Sequence, residues 1–157
     1  MSIGEGDAAP GFDLPATGER RASLEAMKGR PFVLYFYPRA DTPGCTKEAQ
    51  GFEEALDGLS AAGVAVVGVS KDKLPALEKF AAKYGLRFPL AADPDGTVVE
   101  AYGAWVEKSM YGKAYMGIDR CTVLVDRNGT VARVWRKVKV PGHVAAVLDA
   151  AKGLGGS

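Results

Sequence analysis

The run Pro31–Tyr37 (PFVLYFY) carries no charge and is almost entirely aromatic or aliphatic, and a helical pattern separates it from a second apolar run, Val64–Ser70 (VAVVGVS). Strands that are apolar on both faces belong at the centre of a sheet that is covered on both sides. Between them, Thr46–Leu59 places Phe52, Leu56 and Leu59 on one helical face. A further stripe, Leu74, Leu77, Ala81 and Tyr84, leads to a third strand over Phe88–Ala92. This β-α-β-α-β order predicts a layered α/β architecture with right-handed crossovers.

The later sequence changes character. Asp93–Gly96 reads as a turn and Thr97–Tyr102 as a short helix. Cys121–Asp126 and Thr130–Val138 are strand-like on either side of Arg127-Asn128-Gly129, an antiparallel hairpin signal, with Lys137 and Lys139 at exposed strand positions. Val144, Val147, Leu148 and Ala151 mark a C-terminal amphipathic helix, and residues 153–157 form a frayed tail. A mixed β-sheet flanked by α-helices, with a βαβ half and a ββα half, is the arrangement of the thioredoxin fold. At 157 residues the chain predicts a single domain, 1–157.

Composition narrows the partners. Twenty Lys and Arg against 19 Asp and Glu give a formal charge of +1, so the field that draws proteins to nucleic acid or anionic membranes is missing. No uncharged stretch is long enough to span a bilayer, and Met1–Phe12 lacks the features of a secretory signal, so the expected location is the cytoplasm. Two Cys and one His are too few for a structural zinc site. The short chain and near-neutral charge are compatible with a monomer.

The segment Tyr35–Gln50 (YFYPRADTPGCTKEAQ) places a lone thiol, Cys45, where a strand gives way to a helix. A cysteine in the first turn of a helix meets the positive end of the macrodipole and unpaired backbone N–H groups, which favour the nucleophilic thiolate. Dithiol exchange by Cys-x-x-Cys is excluded, because the position three after Cys45 is Glu48. The Cys-x5-Arg pattern of phosphatases fails at Gly51. Cys121 satisfies it through Arg127, but only across a strand that cannot cradle a phosphate. A Cys–His hydrolase would need His143, which reads as an incidental, exposed residue at the start of a helix. Phe80, Tyr84, Phe88 and Trp105 read as core or pocket wall.

The spacing Pro38-x-x-x-Thr42-x-x-Cys45 resembles the active-site signature of peroxiredoxins. Thr42-Pro43-Gly44-Cys45-Thr46 with Glu48-Ala49 is similar to the bacterioferritin comigratory protein (PrxQ) subfamily. The resemblance extends over the opening Gly6–Phe12, the Phe36-Tyr37-Pro38 strand end and Tyr111-Gly112-Lys113 through Gly117-Ile118 to Arg120. It implies reduction of hydrogen peroxide and small organic hydroperoxides without metal or organic cofactor. It further implies that Cys45 is the peroxidatic nucleophile, that Thr42 orients the peroxide and that Arg120 favours the thiolate and polarises the O–O bond. Pro38 would shield the sulfur from water, Gly44 and Cys45 would offer backbone N–H groups, and Glu48 would hold Arg120. Such help is needed: full ionisation of an ordinary thiol raises its rate at neutral pH by at most about thirty-fold, so further acceleration must come from stabilising the departing oxygen.

The chain departs from that subfamily where a second thiol is usual. Five residues after Cys45 stands Gln50, and in Phe80-Ala81-Ala82-Lys83-Tyr84 the expected Cys is Ala81. The remaining thiol, Cys121, follows Arg120, and strand alternation turns it to the face opposite Arg120 and Thr122. The expectation is a one-cysteine cycle closed by an external thiol or a thioredoxin-like or glutaredoxin-like reductant. Three alternatives stay open: Cys121 as a resolving thiol after local rearrangement, a redox sensor or holdase without turnover, and a glutathione-dependent transferase or reductase on the same fold.

Overall fold

The computed structural model describes residues 3–155. Its strands are β1 (Asp13–Ala16), β2 (Arg20–Ser23), β3 (Phe32–Phe36), β4 (Ala65–Ser70), β5 (Leu90–Ala92), β6 (Trp105–Met110), β7 (Lys113–Ile118), β8 (Cys121–Val125) and β9 (Val131–Trp135). Its helices are α1 (Pro43–Ala61), α2 (Leu74–Tyr84), α3 (Thr97–Ala101) and α4 (His143–Gly155). Seven strands form one sheet in the order β2-β1-β5-β4-β3-β8-β9, parallel across β5-β4-β3 and antiparallel at both flanks. Among the described residues β6 and β7 pair only with each other.

Every residue of β3 is buried, and its alternation feeds two cores. Phe32, Leu34 and Phe36 face one side with Phe12, Tyr102 and α3 residues Val98 and Val99. Val33 and Tyr35 face the other, under Phe52 of α1, Phe80 of α2 and Val147 of α4. The Tyr35 ring stacks on Phe52 at 4.5 Å and lies across Gly68, where a Cβ would come within 2.9 Å of it. Any side chain at position 68 would lift that ring from the sheet. On the same side α1 meets α4 along Gly51 and Gly58, which sit under Val144 and Leu148.

Several boundaries differ from the sequence expectation. The third strand begins at Leu90, after Pro89, which has no N–H to give a ladder. β9 ends at Trp135, because Arg136 leaves the sheet to donate to the carbonyls of Ile3, Tyr102 and Gly103 at 3.0–3.4 Å. Lys137 and Lys139 are therefore exposed as expected, but they lie in a loop and not in a strand. The expected frayed tail is helical through Gly155, while 156 and 157 lie outside the described residues. Two hairpins, β1–β2 and β6–β7, were not expected from the pattern. Among the described residues no helix is long and apolar enough to cross a membrane.

Candidate active site

α1 begins three residues earlier than the periodicity suggests, and this puts Cys45 in its first turn. Pro43 occupies the first helical position, where its missing N–H costs nothing and its fixed φ suits the helix. Thr42 is the N-cap residue, yet its hydroxyl makes no capping bond. It donates instead to the carbonyl of Arg39 at 2.9 Å. The N–H groups of Gly44 and Cys45, which have no intrahelical acceptor, are thus left unclaimed by the cap.

The loop before the helix is braced from α2 and from the end of β4. Asp72 accepts bonds from the Ala40 N–H at 2.7 Å and the Ser70 hydroxyl at 2.8 Å. Asp41, held at φ 60°, accepts from Lys83 at 3.1 Å and from the Tyr84 hydroxyl at 2.9 Å. Pro38 is exposed at the strand end, while Cys45 itself is only 1% exposed.

Arg120 reaches this turn although 75 positions separate it from Cys45. The antiparallel ladder of β8 with β3 pairs Cys121 with Phe36, so the residue before Cys121 emerges beside the strand end that leads to the site. Its guanidinium donates through Nη2 to Cys45 Sγ at 3.3 Å and through Nη1 to Glu48 Oε1 at 2.7 Å. A Cβ at Gly44 would lie 3.2 Å from Nη2, so the close approach of Arg120 depends on glycine there. One cation therefore spans the sulfur and a carboxyl one helical turn further on.

Glu48 is fully buried, and its second oxygen, Oε2, has no hydrogen-bond partner among the described residues. Burial pushes its pKa up to about 7 even though the Arg120 charge and hydrogen bond pull it down. For Arg120, burial acts to lower the pKa, but Glu48 and the Cys45 sulfur outweigh it and hold the guanidinium above its ordinary value. The cation at the sulfur is thus fixed at all physiological pH values, while the charge on its carboxyl partner varies.

Cys121 lies on the opposite side of the sheet from Cys45, packed with Phe36, Tyr102 and Ile118. Burial pushes its thiol up to about 12 despite the Arg136 charge nearby. The alternation argument placed it correctly. His143 corrects the sequence expectation: it is buried, not exposed, with Thr122 Oγ1 2.7 Å from its Nε2 and the rings of Phe52 and Trp135 against it. As expected of core or pocket wall, Phe80 and Phe88 are buried, Tyr84 is half-buried and lines a shallow pocket with Thr46 and Gln50, and Trp105 packs half-buried against the core. The braces Asp72 and Asp41 were missed, and only the short Ser70-Lys71-Asp72 strand exit hinted at the first. Among the described residues no group of three or more His, Cys, Asp or Glu is placed to hold a metal ion.

Known proteins resemble this chain over most of its length. The AhpC/TSA family profile matches residues 5–134. A protein of Coxiella burnetii described as a putative peroxiredoxin bcp is 51% identical over 148 residues, covering 94% of this chain and 98% of its own. Peroxiredoxin Bcp of Escherichia coli K12 is 42% identical over 144 residues and 92% of each chain. Among solved structures, peroxiredoxin Q of Xanthomonas campestris superposes with a TM-score of 0.87 at 42% identity over 92% of this chain and 91% of its own. A PrxQ of Xylella fastidiosa gives 0.92 at 33% identity over 98% of each. The thioredoxin-like fold, the helix-start Cys45 and these relationships together show that the chain belongs to the AhpC/TSA family and is a peroxiredoxin of the Bcp/PrxQ type, a thiol-dependent peroxidase.

Proposed function

We propose that Cys45 reduces hydrogen peroxide and small organic hydroperoxides by a one-cysteine cycle that an external thiol completes. The Arg120 bond to Cys45 Sγ, shared with Glu48, is the observation that carries the assignment of the site. The peroxide enters beside Thr42, and the thiolate attacks one of its oxygens. The S–O bond forms as the O–O bond breaks, and the second oxygen leaves with the electron pair as hydroxide or alkoxide. Arg120 and the N–H groups of Gly44 and Cys45 stabilise that developing charge, and the proton lost from the thiol ends on the leaving oxygen. Thr42 orients the peroxide, Pro38 limits water at the sulfur, and Glu48 positions the guanidinium. An alkyl hydroperoxide is a fitting substrate, since a related bacterioferritin comigratory protein of Xanthomonas campestris, 40% identical with a TM-score of 0.90, is described by its alkyl peroxide reduction activity.

The product is Cys45 sulfenic acid. An external thiolate displaces its oxygen as water, giving a mixed disulfide, and a second thiol restores Cys45 and carries away the disulfide. Gln50 and Ala81 stand where the family resemblance leads one to expect a partner thiol, and Cys121 lies in the other core, which supports reduction from outside. The working unit in this proposal is the monomer. Two unpaired thiols suit the reducing cytoplasm.

Intact mass after peroxide treatment tests the cycle. One equivalent should add a single oxygen and excess peroxide a second one, because an unpartnered sulfenic acid advances to sulfinic acid. Loss of two hydrogens, with a Cys45–Cys121 peptide recovered, would overturn the one-cysteine reading in favour of Cys121 as resolving thiol. A single oxidation with no turnover by any thiol would instead mark a sensor.

A further inference from the structure

The large hydrophobic residues that stand exposed among the described residues, Met110, Tyr111, Tyr115 and Met116, all lie on the β6–β7 hairpin. Such clustering marks an interaction surface, whereas scattered exposed apolar residues do not. The ladder pairs Val106 with Gly117, Lys108 with Tyr115 and Met110 with Lys113, so these six share one face. The other face is anchored at its base, where Ile118 is buried and Trp105 packs against the core. The face with Val106 therefore presents Met110 and Tyr115 between Lys108 and Lys113, while Met116 and the exposed Glu107 are paired on the opposite face. Tyr111, 97% exposed, caps the tip.

Both ends of the hairpin base connect to the catalytic turn. Ile118 precedes Asp119 and Arg120, whose guanidinium holds Cys45. Trp105 lies under the ammonium of Lys71 at 4.0 Å, and the neighbouring Asp72, which accepts from the Ser70 hydroxyl, also accepts from the Ala40 N–H of the loop. Six residues of strand carry the tip about 20 Å from this base.

We propose that this face is the docking surface for the protein that reduces oxidised Cys45, a dithiol protein whose reactive cysteine sits in an apolar surface bordered by carboxylates. Charge selects this occupant over a second copy of the chain, because two such faces together would oppose four lysines with no acid between them. The proposal rests on the external-thiol cycle above. The partner's thiolate attacks Cys45 sulfur, the sulfenic oxygen leaves as water, and the partner's second thiol breaks the mixed disulfide, so the dithiol is oxidised by two electrons and Cys45 returns as a thiol.

The test compares the native protein with Lys108→Glu/Lys113→Glu and with Met110→Ser/Tyr115→Ser. Peroxide turnover is driven by a purified acidic thioredoxin, by a glutaredoxin, or by dithiothreitol. Both variants should turn over with dithiothreitol at the native rate, which also shows that they are folded. With the protein reductant that serves the native chain, KM should rise about tenfold or more, and added salt should raise KM for the native chain more than for the charge-reversed one. An unchanged KM overturns the docking surface, as does turnover of the native chain by dithiothreitol but by neither protein. Native dimers that the substitutions dissociate assign the face to a second copy and overturn it equally. Failure with every thiol refutes the external-thiol cycle itself, so the two outcomes are separable.

Discussion

Arg120 joins two groups of opposite demand, a sulfur that needs a cation and a buried carboxyl that resists ionisation. Arg120→Ala removes both contacts. Loss of one donor to a developing oxyanion costs about a hundredfold or more in rate, and the rate of peroxide consumption should fall accordingly. Stability should fall by only about 1–3 kcal/mol, because Glu48, with its raised pKa, takes up a proton when its partner is gone. A native rate in that variant, followed by stopped-flow peroxide decay, would remove Arg120 from the reaction. Thr42→Val isolates a different contribution: the hydroxyl gives no capping bond, so unfolding should shift by less than about 1 kcal/mol while peroxide reactivity drops about tenfold or more. If urea unfolding shifts and the kinetics do not, Thr42 is a structural residue of the turn.

At the scale of elements, the α1–α4 contact fixes how firmly the Cys45 helix is seated. Gly51→Ala would put a Cβ 3.0 Å from Val144 Cγ2, and a β-branched residue in a helix has little freedom to yield. Despite the better helix propensity of alanine, a loss of about 1 kcal/mol is expected. Gly153→Ala, in α4 with no atom of the described residues within 4 Å of the new Cβ, should stabilise by about 0.5–1 kcal/mol. Urea midpoints of opposite sign for the two variants check the pair.

The same scale explains what could be read in advance. β3, α1, β4 and α2 were legible because their apolar residues answer to one buried sheet. The β1–β2 hairpin was not, since Arg20 and Arg21 interrupt any alternation and Pro15 argues against a strand. The β6–β7 ribbon escaped notice because most of it packs on nothing, so no period appears. Cys45 could be read from its place at a helix start, whereas Thr42 and Glu48, though in the same segment, were named through the family resemblance. Arg120 came only through family resemblance, because the β3–β8 ladder, not sequence proximity, delivers it. His143 was misread for the matching reason: Phe52 and Trp135, which cover it, are distant in sequence or in another element.

Across the whole molecule, two buried groups pull the pH dependence of stability in opposite directions. Glu48 sits at about 7 against an ordinary 4.5, so between these values the folded chain holds a proton that the unfolded chain has released, and stability falls as pH rises. His143 sits at about 4 against 6.5, lowered by burial and then by the Arg120 charge, so in that window the unfolded chain holds the extra proton and stability rises with pH. Each slope is about 1.4 kcal/mol per pH unit, and where the windows overlap the two cancel. Glu48→Gln should therefore unmask a rise in stability from pH 4.5 to 6.5, and His143→Gln a fall, relative to the native profile. Parallel urea-denaturation profiles for all three proteins would contradict both assignments.

The two tryptophans divide the molecule in a further way. Trp135 stands edge-on to His143 at 5.8 Å, in the layer behind the Cys45 helix, whereas Trp105 lies under Lys71 at the root of the projecting ribbon. An indole's emission responds to charge and water within a few ångströms, so the chain carries two optical probes that look in different directions. With Trp105 replaced by phenylalanine, emission follows the seating of α1 against α4 through a round of oxidation. With Trp135 replaced, it follows whatever settles on the ribbon, and the two events can be timed apart in one stopped-flow trace each.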